Sequence, residues 1–138
     1  MKNDPLEMLR LYHAELIHIR RDIHAHPELG FEETRTSQLV ADKLAEYGVE
    51  VHRGMAKTGV IGVIRGKSTA SGRMVGLRAD MDCLPMHETG NVPHKSTKAG
   101  RMHACGHDGH TTMLLGAARY LAQTRNFDGT EEHRGVAV

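Results

Sequence analysis

Tryptophan is absent from this 138-residue sequence, and only two Phe and three Tyr are present. So few aromatic rings argue against a surface that stacks nucleobases. A charge excess is missing too: 18 Lys and Arg stand against 17 Asp and Glu, a net charge of +1 with histidine neutral. Such a balance offers no field to draw in nucleic acid or a membrane surface. No apolar run approaches the ~20 residues of a membrane-spanning helix. The first residues, Met1 to Pro5, lead straight into a charged amphipathic pattern without a signal-peptide core, so the expected location is cytoplasmic. Cysteine is scarce, Cys83 and Cys105 alone, and a reducing compartment favours free thiols or metal ligation over a disulfide. No repeat or low-complexity tract interrupts a length suited to one ordinary domain.

Histidine, by contrast, is plentiful: eleven are dispersed along the chain. The densest stretch is His103-Ala104-Cys105-Gly106-His107-Asp108-Gly109-His110, where five side chains able to bind metal or protons fall within eight residues. Its glycines let the backbone turn tightly. A thiolate and an imidazole two positions apart can reach one divalent ion from a looped segment, whereas neighbours on a helix face are three or four apart. The sequence turns helical after His110, so the cluster is expected where a loop enters a helix, an end that favours a thiolate. Cys105 and His107 therefore read as half of a metal site. The same residues also admit a cysteine nucleophile with a nearby histidine as base.

Apolar spacing from Leu6 to Ile23 predicts one helix from Pro5 to about His24, capped by Asn3 or Asp4. Pro27 helps end it, and His24 to Gly30 then reads as a turn. Its two histidines are either ligands or polar groups holding the helix end. A second helix is predicted from about Glu33 to Tyr47, and a third from Thr111 to about Gln123. Val49–Val51, Val60–Ile64 and Met74–Asp80 are predicted strands, the latter two an antiparallel pair across the polar turn 67–72. The fold class that follows is α/β, a mixed β-sheet flanked by helices. Asp80 and Asp82 lie at the carboxyl end of a buried strand, where ligand crevices form in open α/β sheets; one of them faces the metal site, or both cap the next turn. The long loop from Met86 to Arg101 has the length of a functional one. A strand is expected after Asn126–Thr130, but Glu131 to Arg134 is polar and reads as a solvated end.

Three stretches together, Arg20 to Glu33, Leu77 to Pro85 and His103 to His110, resemble the N-terminal part of the metal-dependent amidohydrolases. That family includes hippurate hydrolase, N-acyl-amino-acid hydrolases and plant auxin-conjugate hydrolases, relatives of aminoacylase and carboxypeptidase. The resemblance runs from about Leu6 to Thr130. It implies a zinc-peptidase-like catalytic domain with two divalent metal ions, Zn or Mn, with Co or Ni also used. In it Cys105 and His107 match metal ligands, and Asp82 matches an acid that orients a ligand histidine. The implied substrate is a small N-acyl amino acid. The family runs on for several hundred residues, so residues 1–138 are expected to be the N-terminal portion of the catalytic domain, inactive alone and self-associating through exposed sheet edges. The family's catalytic glutamate pair is not carried onto Glu131 and Glu132. The alternative expectation is a non-catalytic remnant with at most weak metal binding.

Overall fold

The computed structural model describes residues 4–135, with side chains described through Thr130. In chain order the elements are α1 (Pro5–Leu11), α2 (His13–Ala25), α3 (Thr34–Glu46), β1 (Glu50–Met55), β2 (Gly59–Arg65), β3 (Met74–Ala79), α4 (His107–Thr124) and β4 (Thr130–Gly135). The strands form one mixed sheet in the order β1-β2-β4-β3. Helices α3 and α4 pack on the sheet, and α2 packs on α4. The core is aliphatic: Ile19 and Ile23 of α2, Val40 and Leu44 of α3, Val60 and Ile64 of β2, and Leu115 and Ala118 of α4 meet there.

The predicted first helix is two. Asp4 caps α1 by accepting the amides of Leu6 and Glu7 through its carboxylate. At Tyr12 the backbone leaves helical geometry (φ −112°, ψ 16°) and α2 starts afresh. The tyrosine is buried, its ring under the Arg119 guanidinium, whereas Leu6 and Leu11 stay exposed. The alternative cap, Asn3, lies outside the described residues.

The sheet departs from expectation at its centre. Thr130–Gly135 form a strand, and it lies between β2 (antiparallel) and β3 (parallel). Strands β2 and β3 therefore run in opposite directions, as expected, but never pair. The turn over residues 67–72 does not close a hairpin; it wraps the approach to β4. Ser71 donates from its amide to the Asp128 carboxylate and from its hydroxyl to the Asp128 carbonyl, while the Gly129 and Thr130 amides donate to Ser68 and Arg73 carbonyls. A strand paired on both sides is held by its main chain, which hydropathy does not report. The backbone of Glu131 and Glu132 is thus central rather than a loose end; the exposure of their side chains lies outside the described residues.

Candidate metal centre

The structure gathers the three sequence stretches around the start of α4. Gly106 sits in the left-handed region (φ 90°), and from it α4 starts at His107, four residues earlier than predicted. The His110 amide donates to the Gly106 carbonyl at 3.0 Å and closes the first turn. His107 and His110 are therefore one turn apart on one helix face, with rings stacked at 5.4 Å.

Asp80 and Asp82 follow the end of β3 and both face that turn. The His107 Nδ1 lies 2.8 Å from Asp82 Oδ1 and 3.0 Å from the Asp82 carbonyl. A carbonyl only accepts, so Nδ1 carries the proton and the lone pair of a neutral ring stands on Nε2. His110 Nδ1 lies 2.8 Å from Asp80 Oδ1, and Asp80 Oδ2 lies 3.5 Å from His107 Nε2. Burial works against charge on Asp80, but the hydrogen bond from His110 and the nearness of His107 outweigh it and hold the carboxyl below its usual range.

Asp80, His107 and His110 each offer one ligand atom, and those atoms lie within 4.8 Å of one another. One carboxylate and two imidazoles suit a divalent transition ion, though three ligands fall short of the usual four. An acid that fixes the tautomer of an imidazole beside a cation is the usual support of a histidine ligand. Cys105 is exposed on the turn just before α4 and lies outside that group of three. Of the expected residues, the structure thus joins Asp82 to His107 and leaves Cys105 beside them. Asp80 and His110 complete the cluster. Their signals were there to be read: the two-residue alternation of Asp80 and Asp82 and the three-residue spacing of His107 and His110.

His24 and His26 are not in this group. His26 Nδ1 donates to the Asp22 carbonyl at 2.7 Å, a polar group holding a helix end. His24 is buried, with Nδ1 2.9 Å from Asp108 Oδ2 and Nε2 2.9 Å from Glu88 Oε1. The first stretch serves as an anchor. Glu28 holds the start of α3 through the amides of Arg35 and Thr36, and its carbonyl accepts the Cys83 amide. The loop that follows Cys83 is laid on the same stretch: Thr97 donates to the Ala25 carbonyl and Arg101 pairs with Glu32.

Comparison with known proteins gives this arrangement a class. The sequence profile described as Peptidase family M20/M25/M40 matches residues 76–137, so the second and third stretches and β4 are M20-family sequence. Among solved structures, the Bacillus subtilis YXEP protein, described as a dinuclear metal binding peptidase of the M20 family, superposes with a TM-score of 0.86 at 41% identity. That likeness covers 91% of this chain and 35% of the other. Among curated relatives, the chain is 56% identical over 116 residues to the hippurate hydrolase of Campylobacter jejuni, covering 84% of this chain and 30% of the relative. It is 51% identical over 111 residues to IAA-amino acid hydrolase ILR1-like 2 of Arabidopsis thaliana, covering 80% of this chain and 25% of the relative. The chain thus spans about a third or less of the length of these proteins. Among the described residues, no helix is long and apolar enough to cross a membrane.

Proposed function

We propose that residues 1–138 are the N-terminal portion of the catalytic domain of a metal-dependent amidohydrolase that cleaves N-acyl amino acids, N-benzoylglycine among them. The observation that carries this reading is the Asp82–His107 hydrogen bond, which leaves Nε2 of His107 free beside Asp80 and His110. Cys105 and His107 are the proposed ligands, with Asp82 orienting His107. Two divalent ions, zinc or manganese, are the proposed cofactors. Bound there, they supply Lewis acidity to the amide carbonyl and lower the pKa of water. What the chain itself does is hold His107 in one tautomer, hold Asp80 ionised, and present Cys105 at the mouth of α4. The general base that carries a proton to the leaving amine is proposed to come from other residues of the whole catalytic domain. A cytoplasmic location is part of the proposal.

The test is cobalt(II) titration of the purified 138-residue protein, followed by its absorption. A thiolate-to-cobalt charge-transfer band is expected, and Cys105→Ser should remove it and weaken binding by about 100-fold or more, since it deletes a ligand rather than its support. Stoichiometric binding without the band would remove Cys105 from the site. The same protein is expected to leave N-benzoylglycine intact; turnover at the rate of a full-length relative would overturn the assignment of the base elsewhere.

Self-association belongs to the same reading. Among the described residues strand β3 is an edge, and Met74 and Val75 on it are 63% and 54% exposed. The opposite edge, β1, is protected by Glu50, His52 and Arg53 and by a bulge at Gly54. Light scattering should give a mass above the 15.2 kDa monomer, and Val75→Lys should bring it back toward that value. A monodisperse monomer of the unaltered chain would count against the edge.

A further inference from the structure

His24 reaches the helix of the metal-facing atoms through Asp108. It lies at the end of α2, 6% exposed, between carboxylates from two other parts of the chain. Asp108 belongs to the first turn of α4, next to His107; Glu88 belongs to the loop between Cys83 and Gly106. Both ring nitrogens face carboxylate oxygens at 2.9 Å, and a carboxylate only accepts, so both nitrogens donate and the ring is an imidazolium. Both acids are themselves held. Glu88 accepts the Ser96 amide at 2.6 Å through its other oxygen, and Arg20 of α2 lies 3.4 Å from Asp108. The ring edge of His94 packs on His24 at 5.2 Å between centroids, and His103 lies at 6.4 Å.

We infer that His24 is the positioning residue of the proposed metal centre: its cation clamps the first turn of α4 to the loop, and so fixes His107 and Cys105 relative to Asp82. This inference rests on the metal reading above for its consequence, but not for its geometry. Asp108 is where the two pulls on the turn meet. Its side chain is pulled to α2 while its neighbour His107 is pulled to Asp82, so the turn between them has one rotation that satisfies both. Without the cation, two buried carboxylates are left without their shared partner, and the rotation of the turn is no longer fixed by both sides.

The test compares the unaltered protein with His24→Gln and with Ile64→Val, an apolar change in the core cluster that lowers stability without touching the clamp. Two quantities are read. Cobalt(II) affinity by the thiolate band should fall about 10- to 100-fold in His24→Gln, the range for residues that support a ligand, and stay unchanged in Ile64→Val. Amide hydrogen exchange should accelerate at least tenfold at His110, Ser96 and Thr97 in His24→Gln, while the amides of β2 keep their rates relative to one another. Unchanged cobalt affinity in a folded His24→Gln would overturn the positioning role. Unchanged exchange at those three amides would overturn the clamp itself, whether or not the protein binds cobalt. Failure of the unaltered protein to bind cobalt, with exchange altered as expected, would overturn the metal reading and leave the clamp standing.

Discussion

Glu28→Ala is expected to cost about 2–4 kcal/mol of folding stability, read as a lowered midpoint in urea with an unchanged slope. The carboxylate is 3% exposed and accepts the Thr36 amide and hydroxyl at 2.7 Å and the Arg35 amide at 2.9 Å. These are the first donors of α3, which have no partner within the helix. Burial pushes the Glu28 carboxyl up, and the hydrogen bonds from Thr36 and Arg35 more than reverse it, so the group is held ionised and below its ordinary range. An ordinary exposed cap is worth about 1 kcal/mol. Here the Thr36 amide and hydroxyl are buried, and removing their acceptor adds the cost of leaving them dry. Glu28→Gln keeps one carbonyl oxygen and should lose roughly half as much. A loss under about 1 kcal/mol for Glu28→Ala would mean that water or another group replaces the cap.

The second large effect is on pH dependence, and two buried histidines set it in opposite ways. Burial disfavours charge on His24, but the hydrogen bonds from Glu88 and Asp108 outweigh it and raise its pKa above the ordinary 6.5. A raised histidine contributes stability in full below its unfolded value, and loses it as pH rises through the folded one. Thermal stability should therefore decline as pH rises above 6.5 and through the raised value. His103 behaves inversely: burial drives its pKa down to about 4, against the pull of Asp108. The unfolded chain binds a proton there between pH 6.5 and about 4 that the folded chain refuses, so stability falls as pH drops through that window. Lower still, Glu28 and Glu88, both held below the ordinary 4.5, must be protonated and their contribution goes too. The melting temperature should peak near neutrality, each kcal/mol lost lowering it by about 3–6 °C for a chain of this size. His24→Gln should flatten the alkaline limb alone. A profile with no alkaline decline in the unaltered protein would contradict a charged His24.

The comparison of sequence and structure divides along a physical line. Periodicity located α3 and β2 because their apolar faces are buried, and a buried face writes itself into residue order; β3 was found from its apolar start, yet Met74 and Val75, read as buried, lie exposed on the edge. The turn into α4 was legible because Gly106, Cys105 and His107 sit close in sequence. What stayed hidden depends on distant partners. Nothing about Glu88 announces that it meets His24, 64 positions earlier. Nothing in Thr130–Arg134 announces a central strand, because its place is set by main-chain pairing on both sides. The split of the first helix at Tyr12 was masked by an apolar spacing that continues across it. Asp80 was half legible: its place at a strand end suggested a role, but only the position of His110 in α4 gives it a partner.

The position of β4 has a consequence for how the chain is made. Among the described residues it is the latest strand in sequence and the one that joins β2 to β3, so within this four-stranded sheet β3 is unpaired until it arrives. Emergence from the ribosome would leave β1 and β2 as a hairpin while β3 and the acids after it wait, unpaired, for some fifty further residues to be synthesised. Closure of the sheet and alignment of Asp80 and Asp82 with α4 then come as one late event, the insertion of a single strand into a gap already flanked on both sides.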